Sequence, residues 1–236
     1  MTATAPSASL RWMSEGHEYF LSCLKQVDDA RLEGPSLLPG WTGKHLLSHV
    51  GHNARALARL AHWAATGEPT PMYPDASARA EEIELGATWP AVQLRDFVVE
   101  EQNGLVSALG NITESGWQAP VVTAQGRTVP AGTIPWLRSR EVWIHACDLP
   151  SGGNFADFPD DFTEALIDDV LTRRRTAQHL ELDVRITDRG MSTGYGADIC
   201  VQGSATDLAR WLTRGHASPN LRTATGGTLP DLPAWL

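Results

Sequence analysis

Four stretches of this sequence repeat apolar residues at every third or fourth position before Gly152 and Gly153 interrupt the chain, and that rhythm limits its fold more than any other feature. The first spans about residues 10–30, with Trp12, Phe20, Leu24 and Val27 in register and Gly34-Pro35 as its stop. Thr42 is a fitting N-cap for the second, which runs some twenty residues to Gly67-Glu68-Pro69. Trp89-Pro90 opens the third, carried by Leu94, Phe97, Val98, Leu105 and Leu109. A short acidic helix at 78–85 precedes it, and an extended loop or hairpin at 116–130 follows. The fourth covers about 134–149, with Trp136, Val142 and Trp143. Four helices of this length predict an up-and-down bundle, an architecture that builds metal sites from side chains facing inward on neighbouring helices.

Beyond the glycine pair the pattern changes. A helix at 160–178, a strand at 182–187, a turn, a strand near 198–202, a helix at 205–213 and a strand near 221–224 predict a small α+β domain. The expected fold class is therefore α plus α+β, with domains at 1–152 and 153–236. The formal charge of -9 argues against a nucleic-acid surface. No run of apolar residues is long enough to span a bilayer, and residues 1–10 lack the charged and apolar regions of a secretory signal. Cys23, Cys147 and Cys200 form no C-x-x-C pair, and an odd number of scattered cysteines suits a reducing cytoplasm. A cytoplasmic monomer is expected.

In the second helix His45, His49 and His52 stand at i, i+4 and i+7, so all three project from roughly one face. In the fourth, Glu141 and His145 repeat the i, i+4 spacing. Imidazole and carboxylate together suit zinc, and three protein ligands leave the open position of a catalytic site. Any one of these histidines reads equally well as a surface or core residue, and Glu141 as a partner of Arg138 or Arg140. Spacing alone leaves His45, His49 and His52 all open.

The surrounding residues narrow the choice. Leu38-Pro39-Gly40-Trp41-Thr42 followed by His45, His49 and Asn53-Ala54, then Thr66-Gly67-Glu68, Thr70-Pro71-Met72-Tyr73, Glu81-Glu82-Ile83, residues 123–130 (TAQGRTVP) and 138–146 (RSREVWIHA), resembles the mycothiol-dependent maleylpyruvate isomerases. These belong to the DinB-like superfamily of metal-binding helical bundles. The resemblance implies zinc held by His49, Glu141 and His145, with His45 and His52 in helix-face or supporting roles. The pair Gly51-His52 departs from the usual pattern and leaves a fourth ligand open. Asp148 is placed to orient an imidazole through its free N–H.

By the same resemblance, Arg210-Trp211-Leu212-Thr213-Arg214-Gly215 puts Arg214 in the active-site cleft. The implied reaction converts maleylpyruvate to fumarylpyruvate. A thiolate adds to the cis double bond, the resulting single bond rotates, and elimination returns the thiol. The three cysteines read as small buried hydrophobes, so the thiol is expected to be mycothiol, activated at zinc. Arginines would hold the carboxylates of the small-molecule dicarboxylate substrate, Arg214 first, with Arg79, Arg127 and Arg138 as alternatives. A mycothiol S-transferase is the competing activity. A non-catalytic metal-binding regulatory module would call for clustered cysteines and a basic partner helix, and the sequence has neither.

Overall fold

A computed structural model describes residues 6–150, 152–233 and 235. Contacts divide the chain into two compact units, Met1–Gly153 and Asn154–Leu236. The first is a helical bundle of α1 (Ser7–Leu24), α2 (Asp29–Glu33), α3 (Gly43–Thr66), α4 (Ala78–Ala87), α5 (Ala91–Gly110) and α6 (Ile134–Ala146), with a hairpin of β1 (Pro120–Val122) and β2 (Thr128–Pro130) between the last two.

Helix α3 is the centre of this bundle: sixteen of its 24 residues are buried, and α4, α5 and α6 all pack on it. Helix α1 lies against α6. Both ends of α3 are written in the sequence. The Thr42 hydroxyl accepts from the His45 N–H at 3.3 Å, and His45 Nδ1 accepts in turn from the Thr42 N–H, also at 3.3 Å. Histidine thus takes the place that Glu or Gln usually holds in a capping box. At the other end Gly67 adopts φ 78° and donates to the Trp63 carbonyl, which closes the helix.

Close approach of α3 and α5 depends on Gly51, because a Cβ there would overlap the Phe97 ring. Gly51→Val should destabilise the protein by about 3 kcal/mol through overpacking. The melting temperature would then fall by roughly 6–12 °C in a circular-dichroism scan. A melting temperature unchanged from wild type would mean that the Phe97 ring has room to move.

Helix one was expected as a single element through residue 30, whereas α1 ends at Leu24. The Asp28 carboxylate accepts from the Arg31 N–H at 2.8 Å and starts α2 as a separate turn. Similarly, α6 ends at Ala146 rather than near 149.

In the second unit, α7 (Asp160–Gln178) packs with α8 (Ala205–Arg214). The accompanying sheet has the order β4-β3-β5-β6, formed by Met191–Thr193, Asp183–Ile186, Cys200–Gly203 and Arg222–Thr223. Strands β3 and β5 run parallel in register Val184↔Val201, and the two edge strands are antiparallel to them. Sequence reading gave a turn where β4 forms. Its residues are exposed or half-buried, so it lacks the apolar alternation that marks a strand.

Candidate metal centre

Helices α3 and α6 pack directly on one another, and from their facing sides His49, Glu141 and His145 converge. His49 Nε2 lies 2.9 Å from Glu141 Oε2 and 3.1 Å from His145 Nε2, and the third edge, His145 Nε2 to Glu141 Oε2, is 3.2 Å. Three potential ligand atoms therefore form a nearly equilateral triangle. This is the one group of three or more histidine, cysteine or carboxylate side chains among the described residues whose ligand atoms could share an ion. Tetrahedral coordination with Zn–N and Zn–O bonds of about 2.0–2.1 Å places neighbouring ligand atoms about 3.3 Å apart, so the triangle is of the size zinc requires. The His49 side chain is 5% exposed against 16% for Glu141, so the group is reached from the Glu141 side.

His145 is oriented from behind. Its Nδ1 donates to Asp148 Oδ2 at 2.8 Å, which fixes the ring's orientation and directs Nε2 at the other two ligand atoms, where a metal would replace its proton. Trp41, from the Pro39-Gly40-Trp41 loop, sets its ring 5.4 Å from that of His49. Burial drives the His49 imidazole down to about 4, beyond what Glu141 restores. For Glu141, burial favours the neutral acid, yet hydrogen bonds from His145 and His49 hold its carboxyl well below the usual range. Burial also opposes charge on His145, and the Asp148 and Glu141 carboxylates overcome it, raising that pKa above the ordinary value. The triad thus offers an ionised oxygen and at least one neutral imidazole, a donor set suited to a borderline divalent cation.

The other two histidines of α3 are engaged elsewhere. His45 belongs to the N-cap and approaches Glu84 at 3.4 Å through Nε2. His52 is buried, with Nδ1 2.9 Å from the Ser48 carbonyl and its ring against Phe97. Arg138 lies wholly inside the bundle, where Nε donates to Gln102 Oε1 and Nη1 to the Val50 carbonyl and Asn53 Oδ1. Its remaining nitrogen, Nη2, is buried without a hydrogen-bond partner, and the side chain as a whole is out of reach of solvent. Arg127 is exposed at the β1–β2 turn. Arg214 ends α8 in the second unit and donates to the Thr213 carbonyl.

Sequence reading did not single out Tyr73, which stands within electrostatic reach of Glu141 and Arg79. Burial pushes its phenol up to about 12, so at neutral pH it keeps its proton. Its position in the Thr70–Tyr73 motif was the only available signal.

With this geometry in place, comparison with known proteins is decisive. The sequence profile described as the mycothiol maleylpyruvate isomerase N-terminal domain matches residues 13–150, a span that contains all three residues of the triad. The chain belongs to the mycothiol maleylpyruvate isomerase family. The crystal structure of a mycothiol-dependent maleylpyruvate isomerase, and that of its variant with one histidine changed to alanine, each superpose with a TM-score of 0.89 at 36% identity, covering 100% of both chains. No curated protein sequence matches. Family membership thus extends through the second unit as well as the bundle. Among the described residues, no helix is long and apolar enough to cross a membrane.

Proposed function

We propose that this chain is a mycothiol-dependent maleylpyruvate isomerase, with a zinc ion held by His49, Glu141 and His145. The observation that carries the reading is the triangle of two imidazole nitrogens and a carboxylate oxygen in a chain whose whole length aligns with a solved enzyme of that activity. The triad fits zinc by donor type and spacing, and with three protein ligands it leaves a coordination position for a non-protein group. Zinc bound there supplies positive charge that keeps a thiol deprotonated at neutral pH.

The chain's own residues hold that chemistry in place. Asp148 fixes the His145 ring, Glu141 stays ionised, and the wall of α3 and α6 keeps water from most of the His49 face. No cysteine belongs to the triad, and Cys147 directs its thiol to the Trp143 carbonyl. The nucleophile is therefore external, as the family's name states. Reversible addition of a thiol across the cis double bond leaves a single bond free to turn. Expulsion of the same thiol then gives the trans product with no net consumption. Arg214 is assigned to a substrate carboxylate by the family resemblance. Three scattered cysteines with no C-x-x-C pair suit a reducing compartment, and we place the protein in the cytoplasm.

The test is turnover of maleylpyruvate by zinc-loaded protein with mycothiol held far below the substrate concentration. Loss of enol absorbance running to completion, with fumarylpyruvate as product, is expected. Loss that halts at one substrate per thiol would instead make the protein an S-transferase, and no loss at all would remove the assignment.

A further inference from the structure

Arg79 projects from α4 toward the back of His49. Its Nη2 stands 3.5 Å from His49 Nδ1, the ring nitrogen that faces away from Glu141 and His145. The residue is exposed, and no carboxylate among the described residues lies within ion-pair distance of it. Three other arginines of this unit behave differently: Arg55 holds Glu101, Arg59 approaches Glu82, and Arg95 holds Asp29. Arg79 has an imidazole nitrogen where they have an acid.

That nitrogen is a poor long-term partner. A neutral imidazole has one N–H and one lone pair, and a histidine that gives its Nε2 lone pair to a metal carries its hydrogen on Nδ1. Two donors then face each other, and the guanidinium has no acceptor on the ring. Tyr73, half-buried and within electrostatic reach of Arg79, has a hydroxyl that is hydrogen-bonded to no described residue. A guanidinium fork thus stands beside the ring of a proposed metal ligand, with a phenolic O–H within electrostatic reach of that guanidinium. Neutral small molecules would satisfy the phenol, but only an anion also answers the unpaired charge. A carboxylate has two oxygens to match the fork, and a third donor can approach from the side.

We infer that Arg79 and Tyr73 form a carboxylate-binding subsite at the rim of the His49–Glu141–His145 group, with Arg79 as its principal residue. This rests on the reading of the substrate as a dicarboxylate. It adds a second carboxylate contact, made within the bundle itself, to the one assigned to Arg214.

Maleate serves as the probe, titrated calorimetrically into zinc-loaded wild type, Arg79→Gln, Arg79→Lys and Tyr73→Phe, with metal content measured on each sample. At equal zinc content, Arg79→Gln should weaken maleate binding about tenfold or more, Arg79→Lys should recover part of it, and Tyr73→Phe should cost about threefold. In the isomerase assay Arg79→Gln should raise KM for maleylpyruvate more than it lowers kcat. Maleate binding and KM within twofold of wild type in Arg79→Gln would overturn the inference. Binding unchanged in Tyr73→Phe would remove Tyr73 from the subsite. The two readings fail separately. A wild type that shows no turnover yet binds maleate through Arg79 keeps the subsite and loses the isomerase assignment, whereas turnover with Arg79-independent binding does the reverse.

Discussion

Substituting His49 by alanine should lower zinc from one per chain to less than about a tenth after dialysis, and should lower kcat/KM by about a thousandfold or more, roughly 4 kcal/mol of transition-state stabilisation. Glu141 and His145 would remain as a pair on one helix, and two ligands cannot hold zinc against buffer with the strength of three. His49 is also the most buried member of the triad, so its loss removes the ligand least able to be replaced by water. The fold should survive, because the ring borders Trp41 and the other triad residues and contributes nothing to the apolar cluster around Leu57, Leu60 and Leu105. Unchanged far-ultraviolet circular dichroism with lost metal is the signature to look for. Full zinc retention would place the ion on other residues and refute the ligand set.

Arg138→Leu should be the most destabilising single change near the site. Gln102 Oε1 and Asn53 Oδ1 would lose the donor that now satisfies them in a dry interior, and the Val50 carbonyl would keep only its helical donor. Stranding buried acceptors costs on the order of 1–3 kcal/mol apiece, and rotation of the two amides recovers some of it, which leaves about 3–5 kcal/mol. Burial already pulls the Arg138 guanidinium down to about 10, with the Glu141 carboxylate as the one counter-charge opposing that drift. The variant should therefore raise the Glu141 carboxyl pKa and make metal binding weaker on the acid side of neutrality. Denaturant unfolding of the zinc-free protein checks the stability cost, and zinc titration at two pH values checks the coupling. Stability equal to wild type would show that Asn53 and Gln102 can satisfy each other.

How much of this was legible in the sequence depended on how local each feature was. Period and caps sufficed for the long helices, because Thr42, Gly67 and the apolar rows act within a few residues. The Glu141 and His145 pair was legible for the same reason. The choice among His45, His49 and His52 was not, since they spread over only about 60° of the helix circumference. What separates them is which neighbour each one meets: the helix's own cap for His45, α6 for His49, and the Phe97 ring of α5 for His52. Motif resemblance supplied that choice before any coordinates did. The setting of Arg138 was hidden for a related reason. A polar residue three places before Glu141 looks like a ligand-binding group until Gln102 and Asn53 are seen to have turned inward to receive it. Strand β4 stayed hidden because an edge strand with exposed side chains carries no alternation to detect.

Ninety-two residues separate His49 from Glu141. An ion that joins them clasps together segments that are far apart in any unfolded chain, so it binds the native form and barely the denatured one. At a free metal concentration a hundred times its dissociation constant, this linkage adds about 2.7 kcal/mol to the folding equilibrium. Metal scarcity would then act twice, first by idling the enzyme and then by exposing its unfolded fraction to proteolysis. The amount of this protein in a cell should fall with its zinc supply even when its synthesis does not.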